Sequence, residues 1–375
     1  MSIREVFCQD KAIGILQRAF AADKLAHAYI FVGPDGVGKF KTAKEWAKML
    51  LCNHKIKHQS PQGAFCDSCG TCRSCEVFDG GAHPDFNHIY KELLKFTKEG
   101  KRKPPPLDLP IDVVREFLVD KVAGRPQMSD ATVYVVSEAE QLNRSSQNAL
   151  LKVLEEPPKH CFIILICSRL EKMLPTTQSR CQIIRFGPVD AEKIEERLTR
   201  SGLAHAEAQY WAAFSEGSLG TALAWAQLEP KDKSCYQIKT ELLNRFADYQ
   251  LGDVLDFAEW LSQSAKKIRD VWTEKQPNVS KKDINRRTQT GLIRMIIAAL
   301  DDAMKMCIGN DAAFVNSDQM SQIRKIAKKF GAEELAEKIG KAYENIQWLH
   351  HNVNERLVFE ELLLNYAGCG TIISP

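Results

Sequence analysis

The chain has 375 residues, of which 44% are hydrophobic and 26% charged, with a formal net charge of +3. It reads as an ordinary soluble globular protein of roughly two or three domains. So mild a charge excludes a global basic field, so any nucleic-acid contact has to come from local patches. Twelve cysteines would suggest disulfides in a small secreted protein, but the opening Met1-Ser-Ile-Arg-Glu-Val-Phe-Cys8 lacks the apolar core of a signal peptide. A reducing, cytoplasmic compartment is expected. The most apolar stretch, Cys161 to Cys167, is far shorter than the roughly 20 residues of a membrane helix and is expected to be a buried strand.

Up to about residue 187, short β-branched runs alternate with amphipathic stretches, the pattern of a parallel sheet flanked by helices. The first predicted strand, Tyr29 to Val32, is continuously apolar, as for a strand covered on both faces. It leads into Gly33-Pro-Asp-Gly36-Val-Gly38-Lys39-Phe40, a glycine loop of the phosphate-cradling kind. Gly33, Gly36 and Gly38 let backbone N–H groups face a phosphate, and Lys39 can reach one. The pattern ends in Ser or Thr where a hydroxyl holds Mg²⁺, and a benzyl ring at Phe40 cannot coordinate a metal. Residues Lys41 to Leu51 follow as the loop's helix, with Ala43, Trp46, Ala47 and Leu50 on one side.

The strongest local signal is Cys66-x-x-Cys69-x-x-Cys72-x-x-Cys75. Four thiolates from tight turns can close a tetrahedral zinc site with no position left for water, which is structural and not catalytic. Cys52, at the end of the loop's helix, is a fifth candidate. Four ligands each separated by two residues wrap one ion awkwardly. The preferred set is therefore Cys52, Cys69, Cys72 and Cys75, with exchange of Cys52 for Cys66 left open. His54, His83 and His88 lie off pattern and are expected in turns or at the surface. Pro84, Gly100 and Lys101-Arg-Lys-Pro-Pro-Pro106 then punctuate a long connection, expected to be a solvated loop.

The strand Thr132 to Val136 runs into Ser137-Glu138-Ala139-Glu140. An ATPase places an Asp there to help hold Mg²⁺, so Ser137 removes the second protein support for the metal. Such a site could hold phosphates weakly through Lys39 but should not hydrolyse a nucleotide. Glu138 reads as a relic or a capping residue. A third strand, Phe162 to Cys167, is followed by Ser168-Arg169, to which no role is assigned. Gly187-Pro188 breaks the pattern, and Asp190 is placed to cap a helix through Ile194 and Leu198. A short helical segment ends near Trp225. From about 235 onward only amphipathic stretches appear, among them Val254 to Leu261, Leu292 to Leu300 and Glu333 to Leu349. Leu335, Ile339, Ala342, Ile346 and Leu349 form a stripe expected to pack within its own helical bundle. No internal repeat appears.

With these residues in place the chain resembles the AAA+ clamp-loader family. The matching text runs from Leu25-Ala-His-Ala-Tyr-Ile-Phe31 through Gly33 to Lys39, Cys52 and Cys69-Gly-Thr-Cys-Arg-Ser-Cys75 to His83-Pro-Asp85. It continues in Asn148-Ala-Leu-Leu-Lys-Val-Leu-Glu-Glu-Pro-Pro158 and Leu174-Pro-Thr-Thr-Gln-Ser-Arg-Cys181. The resemblance covers the first 190 residues, and a weaker likeness extends to Asn352-Val-Asn354 in the helical remainder. It implies an α/β, RecA-like parallel-sheet domain over 1–187 with an inserted zinc knuckle, a helical lid over 188–232 and an all-α collar over 233–375. It also implies that structural Zn²⁺ is held by Cys52, Cys69, Cys72 and Cys75, with Cys66 extra. In the Ser179-Arg180-Cys181 motif, it implies that Arg180 acts as a trans arginine finger, reaching a neighbour's ATP. In Ser215-Glu-Gly-Ser-Leu-Gly-Thr-Ala-Leu223, Gly220 stands where hydrolysing relatives place a nucleotide-sensing Arg. The implied role is a non-hydrolysing subunit of a hetero-oligomeric clamp loader, with gamma or tau and delta subunits, the sliding clamp and primer–template DNA as partners. ATP binding is doubtful, and no membrane is implied. Two other readings stand beside it. One is an ATP-hydrolysing clamp-loader subunit or AAA+ motor of the same family, and the other a zinc-dependent nucleic-acid binder using the knuckle and Lys101-Arg-Lys103.

Overall fold

The computed structural model describes residues 2–60, 63–98, 108–230, 233–277, 279–309, 313–349 and 353–367. The basic run 101–106 and Asn352 lie outside these residues. The chain forms two units, residues 1–189 and 190–375.

In the first unit, helix α1 (Asp10–Ala21) precedes strand β1 (Ala28–Val32), and helix α2 (Lys39–Leu51) follows the glycine loop. A hairpin of β2 (Ile56–Ser60) and β3 (Gly63–Asp67) and the short helix α3 (Arg73–Asp79) come next. Strand β4 (Phe86–Ile89), the short helix α4 (Ile111–Val114), β5 (Thr132–Val136), α5 (Arg144–Glu155), β6 (Cys161–Cys167), α6 (Pro175–Gln178) and β7 (Gln182–Arg185) complete it. Five strands form one parallel sheet in the order β4-β5-β6-β1-β7. The three continuous apolar runs occupy its middle, where both faces are covered. Alternation then divides each run. Tyr29 and Phe31 enter the core under α1 and α2 with Trp46, Ile164 and Ile184. Ile30 and Val32 face the opposite core with Tyr134, Leu150 and Leu165. Burying each such side chain stabilises the fold by about 1.5–3 kcal/mol.

The edge strands β4 and β7 were not expected, and the reason is local. Phe-Asn-His-Ile and Gln-Ile-Ile-Arg are four-residue mixtures of polar and apolar residues, each with a single strand neighbour. The segment after Pro84 is thus not all loop. It contains β4 and a 3₁₀ turn at Lys91–Phe96.

The described residues of the second unit contain no strand. Helices α7 (Ala191–Arg200), α8 (His205–Phe214) and α9 (Leu219–Ala226) come first. Six more follow: α10 (Cys235–Asp248), α11 (Val254–Lys275), α12 (Lys281–Cys307), α13 (Met320–Lys329), α14 (Ala332–Trp348) and α15 (Glu355–Tyr366). Asp190 sits before α7, but its carboxylate pairs with Lys193 at 3.2 Å and caps no N–H. The predicted stripe lies on α14, which packs on α12 and α15; Leu335, Ala342 and Leu349 are buried. Gly291, inside α12, lets Trp225 approach so closely that a Cβ there would stand 1.9 Å from the indole.

Candidate functional sites: phosphate loop, cysteine knuckle and an exposed arginine

The glycine loop leaves the C-terminal end of β1 and ends at the N-terminus of α2, the position where a helix dipole and free N–H groups favour an anion. Gly36 and Gly38 have φ of 73° and 104°, which side chains rarely adopt. A Cβ at Gly33 would meet the Phe186 carbonyl oxygen at 2.3 Å. The cradle's shape is therefore kept. Its cation is not free. The Lys39 ammonium, 6% exposed, donates to the carbonyls of Gly33 at 2.5 Å and Pro34 at 2.7 Å and lies 3.5 Å from Asp35 Oδ1.

The two replaced metal supports are joined through a third residue. The Phe40 ring lies 4.6 Å from the His88 ring, and His88 Nε2 is 2.8 Å from Ser137 Oγ. Burial holds the His88 imidazole down to about 4, so it stays neutral near pH 7. Mg²⁺ wants oxygen donors, and a ring, an imidazole and one hydroxyl do not supply the set. His88 was expected in a turn or at the surface. It lies in β4, a short mixed strand whose pattern announces neither itself nor this contact.

Glu138 has φ of 52° and pairs with Lys91 at 3.2 Å, but its side chain caps nothing. Ser168, at the end of β6, donates its N–H and its hydroxyl to Glu140 Oε1. Gly220 lies exposed in the first turn of α9, so no side-chain cation projects from that position.

At the other end of α2 the cysteines converge. Cys52 follows the last turn of α2, Cys69 lies in the turn after β3, and Cys72 and Cys75 open α3. Sγ–Sγ distances are 3.6 Å for Cys52–Cys69, 3.9 Å for Cys52–Cys72 and 4.0 Å for Cys69–Cys75. A tetrahedron with Zn–S bonds of about 2.3 Å has edges of about 3.8 Å, so these three separations suit that ion, and all four sulfurs lie within 4.8 Å of one another. Cys66 is outside the set. It is buried on β3, where its backbone exchanges two 2.8 Å hydrogen bonds with the Gln17 amide. Burial raises the Cys52 and Cys75 thiols. For Cys69, burial also acts upward, but N–H donors of Thr71 and Cys72 outweigh it and bring the thiol to about 6.

His83 was expected at the surface or in a turn; its side chain is buried beneath the knuckle. Its Nε2 is 3.0 Å from Ser74 Oγ, and Ser74 and Ser129 both donate to the Leu51 carbonyl, at 2.8 and 2.7 Å. Asp85 accepts the N–H groups of Gln127, Met128 and Ser129 at 2.7–2.9 Å. These bonds are not legible in His83-Pro-Asp85 itself, because most of their partners are distant in the chain.

Arg180 lies in the turn between α6 and β7. Its side chain is about one-third exposed, with Nη1 donating to the Thr176 carbonyl at 2.9 Å and Nη2 lying 2.7 Å from Glu155 Oε1.

A parallel sheet with a glycine loop feeding a helix, followed by an all-helical unit, defines a P-loop-type α/β protein of RecA-like architecture. Residues 8–190 match the family described as DNA polymerase III, delta subunit, and residues 273–367 match its C-terminal family. The delta-prime subunit of Bacillus subtilis is 25% identical over 356 residues, 95% of each chain. That of Pseudomonas aeruginosa is 36% identical over 156 residues, 42% of each chain. The Bacillus subtilis tau subunit is 31% identical over 196 residues, 52% of this chain and 31% of tau. The chain belongs to the delta-prime subunits of the DNA polymerase III clamp loader. Among the described residues, no helix is long and apolar enough to cross a membrane.

Proposed function

We propose that this subunit is the non-hydrolysing member of a clamp-loader ring. It contributes a rigid scaffold and supplies Arg180 in trans to ATP held by an adjacent gamma or tau subunit. One observation carries this reading: both metal supports are replaced, at Phe40 and Ser137, and linked through neutral His88. Lys39 spends its charge on the loop's own carbonyls, while Arg180 remains partly exposed. A guanidinium is always charged and bridges phosphate oxygens as negative charge develops.

In this reading residues 1–187 form the AAA+ domain, 188–232 its lid and 233–375 the collar that holds the ring with the delta and gamma or tau subunits. The ring opens the sliding clamp and follows the phosphates of primer–template DNA without reading bases. Zn²⁺ bound by Cys52, Cys69, Cys72 and Cys75 is a closed structural site in the cytoplasm's reducing conditions.

The isolated subunit should show negligible Mg²⁺-dependent ATPase activity. In the reconstituted complex, Arg180→Ala should leave assembly intact while slowing turnover at the neighbouring site by about 100-fold or more. Turnover by the isolated wild type would sink the first half of the reading, and a normal rate in the assembled variant the second.

A further inference from the structure

The Leu154-Glu155-Glu156-Pro157-Pro158 segment is part of the text that carries the family resemblance, and it has no role in the sites described so far. The fold brings it to Ser179-Arg180-Cys181. Glu155 is the last residue of α5, and Glu156 and the two prolines stop the helix at that point. The end of a helix carries partial negative charge, and two carboxylates add to it there. Arg180 comes from a separate turn, 25 residues on (180 − 155 = 25), and sets its Nη2 2.7 Å from Glu155 Oε1. The Thr176 carbonyl takes Nη1 at 2.9 Å, with Ser179 Oγ at 3.4 Å. A guanidinium has five N–H donors, so these contacts occupy three at most and leave donors for an anion.

Stability is a poor reason for this pair. The side chains are 34% and 47% exposed, and pairs so wet contribute little to folding. Direction is the better reason. A free surface arginine samples many rotamers, and fixing it at the moment of phosphate contact opposes catalysis entropically. Anchoring from two sides before the neighbour arrives removes much of that cost.

We propose that Glu155 is a positioning residue for Arg180: it holds the guanidinium, against the Thr176 carbonyl, in the direction from which it meets the phosphates of the neighbouring subunit's nucleotide. This rests on the trans role of Arg180 proposed above. The Leu-Glu-Glu-Pro-Pro and Ser-Arg-Cys motifs then form one device, a helix end that aims and a turn that delivers.

The test uses the reconstituted complex with primed DNA and four forms of this subunit: wild type, Glu155→Gln, Arg180→Ala and the double variant. Glu155→Gln keeps the side chain's size and removes its charge. It should lower kcat for ATP three- to tenfold with KM changed less than twofold, and leave the subunit's melting temperature and its assembly unchanged. The double variant should be no slower than Arg180→Ala alone, because Glu155 acts through that arginine. A Glu155→Gln rate equal to wild type overturns the proposal, as does a faster rate, which would make Glu155 a latch that restrains Arg180. Losses that multiply in the double variant also overturn it. If Arg180→Ala itself runs at the normal rate, the trans role fails instead, and the four forms tell these failures apart.

Discussion

Helix α2 has a candidate site at each end, and the two have fared differently. At its N-terminus the loop keeps the glycine geometry of a phosphate cradle, yet Phe40 and Ser137 replace the metal supports and Lys39 is satisfied internally. At its C-terminus Cys52 meets three sulfurs whose spacing suits a tetrahedral ion. The backbone of the first site also packs. Gly33 fits under Phe186, and the helix it introduces covers the central strands with Trp46. The side chains there turn inward, Lys39 to the loop's carbonyls and Phe40 and Ser137 to the His88 ring. At the second site the side chains instead converge on one another, four sulfurs within 4.8 Å.

The sharpest way to break this contrast is at the cysteine end. Cys52→Ser should abolish stoichiometric zinc, whereas Cys66→Ser should retain about one equivalent by metal analysis. Metal binding free energy is folding free energy, so the first variant should lose several kcal/mol and melt about 10 °C lower. Equal metal contents in the two variants would place the ligand set elsewhere.

A smaller effect is expected at the other end. Lys39→Met removes the donor to two loop carbonyls, which costs about 1–2 kcal/mol and lowers the melting temperature by a few degrees. The assembled complex's ATPase should stay within twofold of wild type. A large loss of rate would mean that the loop still handles a nucleotide.

The smallest is a pH effect at His88. Its imidazole titrates near 4 in the folded chain and at the ordinary 6.5 when unfolded. Between those values the unfolded chain binds the proton that the half-buried ring refuses, so stability falls as pH drops from 6.5 towards 4. Above 6.5 this group contributes no pH dependence. His88→Gln should flatten that part of a pH series of urea midpoints, and an unchanged slope would mean that the ring is open to solvent.

Much of the first site was legible because its signals are local. A glycine loop between an apolar run and a helix is read within about a dozen residues, and so are the misfits at Phe40 and Ser137. The ligand set could also be preferred from spacing, although separating Cys52 from Cys66 took the fold, which commits Cys66 to β3 and Gln17. What stayed hidden was contact across the sheet. His88 lies off the cysteine pattern and in a strand too short and mixed to be predicted, yet parallel pairing of β4 with β5 aligns Ile89 with Val136 and brings His88 to Ser137. Asp190 and Glu138 show the converse: cap positions were readable, but each side chain preferred a nearby lysine.

By itself the sequence determined the α/β character of the first unit, the helical character of the second, a glycine loop that ends in Phe40 and the cysteines from which a four-sulfur cluster is drawn. Those rest on periodicity, on glycine's access to positive φ and on which atoms can bind which ions, all properties of neighbouring residues. Only the tertiary structure decided that Phe40, His88 and Ser137 close on one another, that Lys39 turns back on its own loop, and that Arg180 is held by Glu155. The pairings of Phe40 with His88, of His88 with Ser137 and of Arg180 with Glu155 join residues 25 to 49 positions apart, and their geometry comes from strand order and helix ends, which no local pattern encodes.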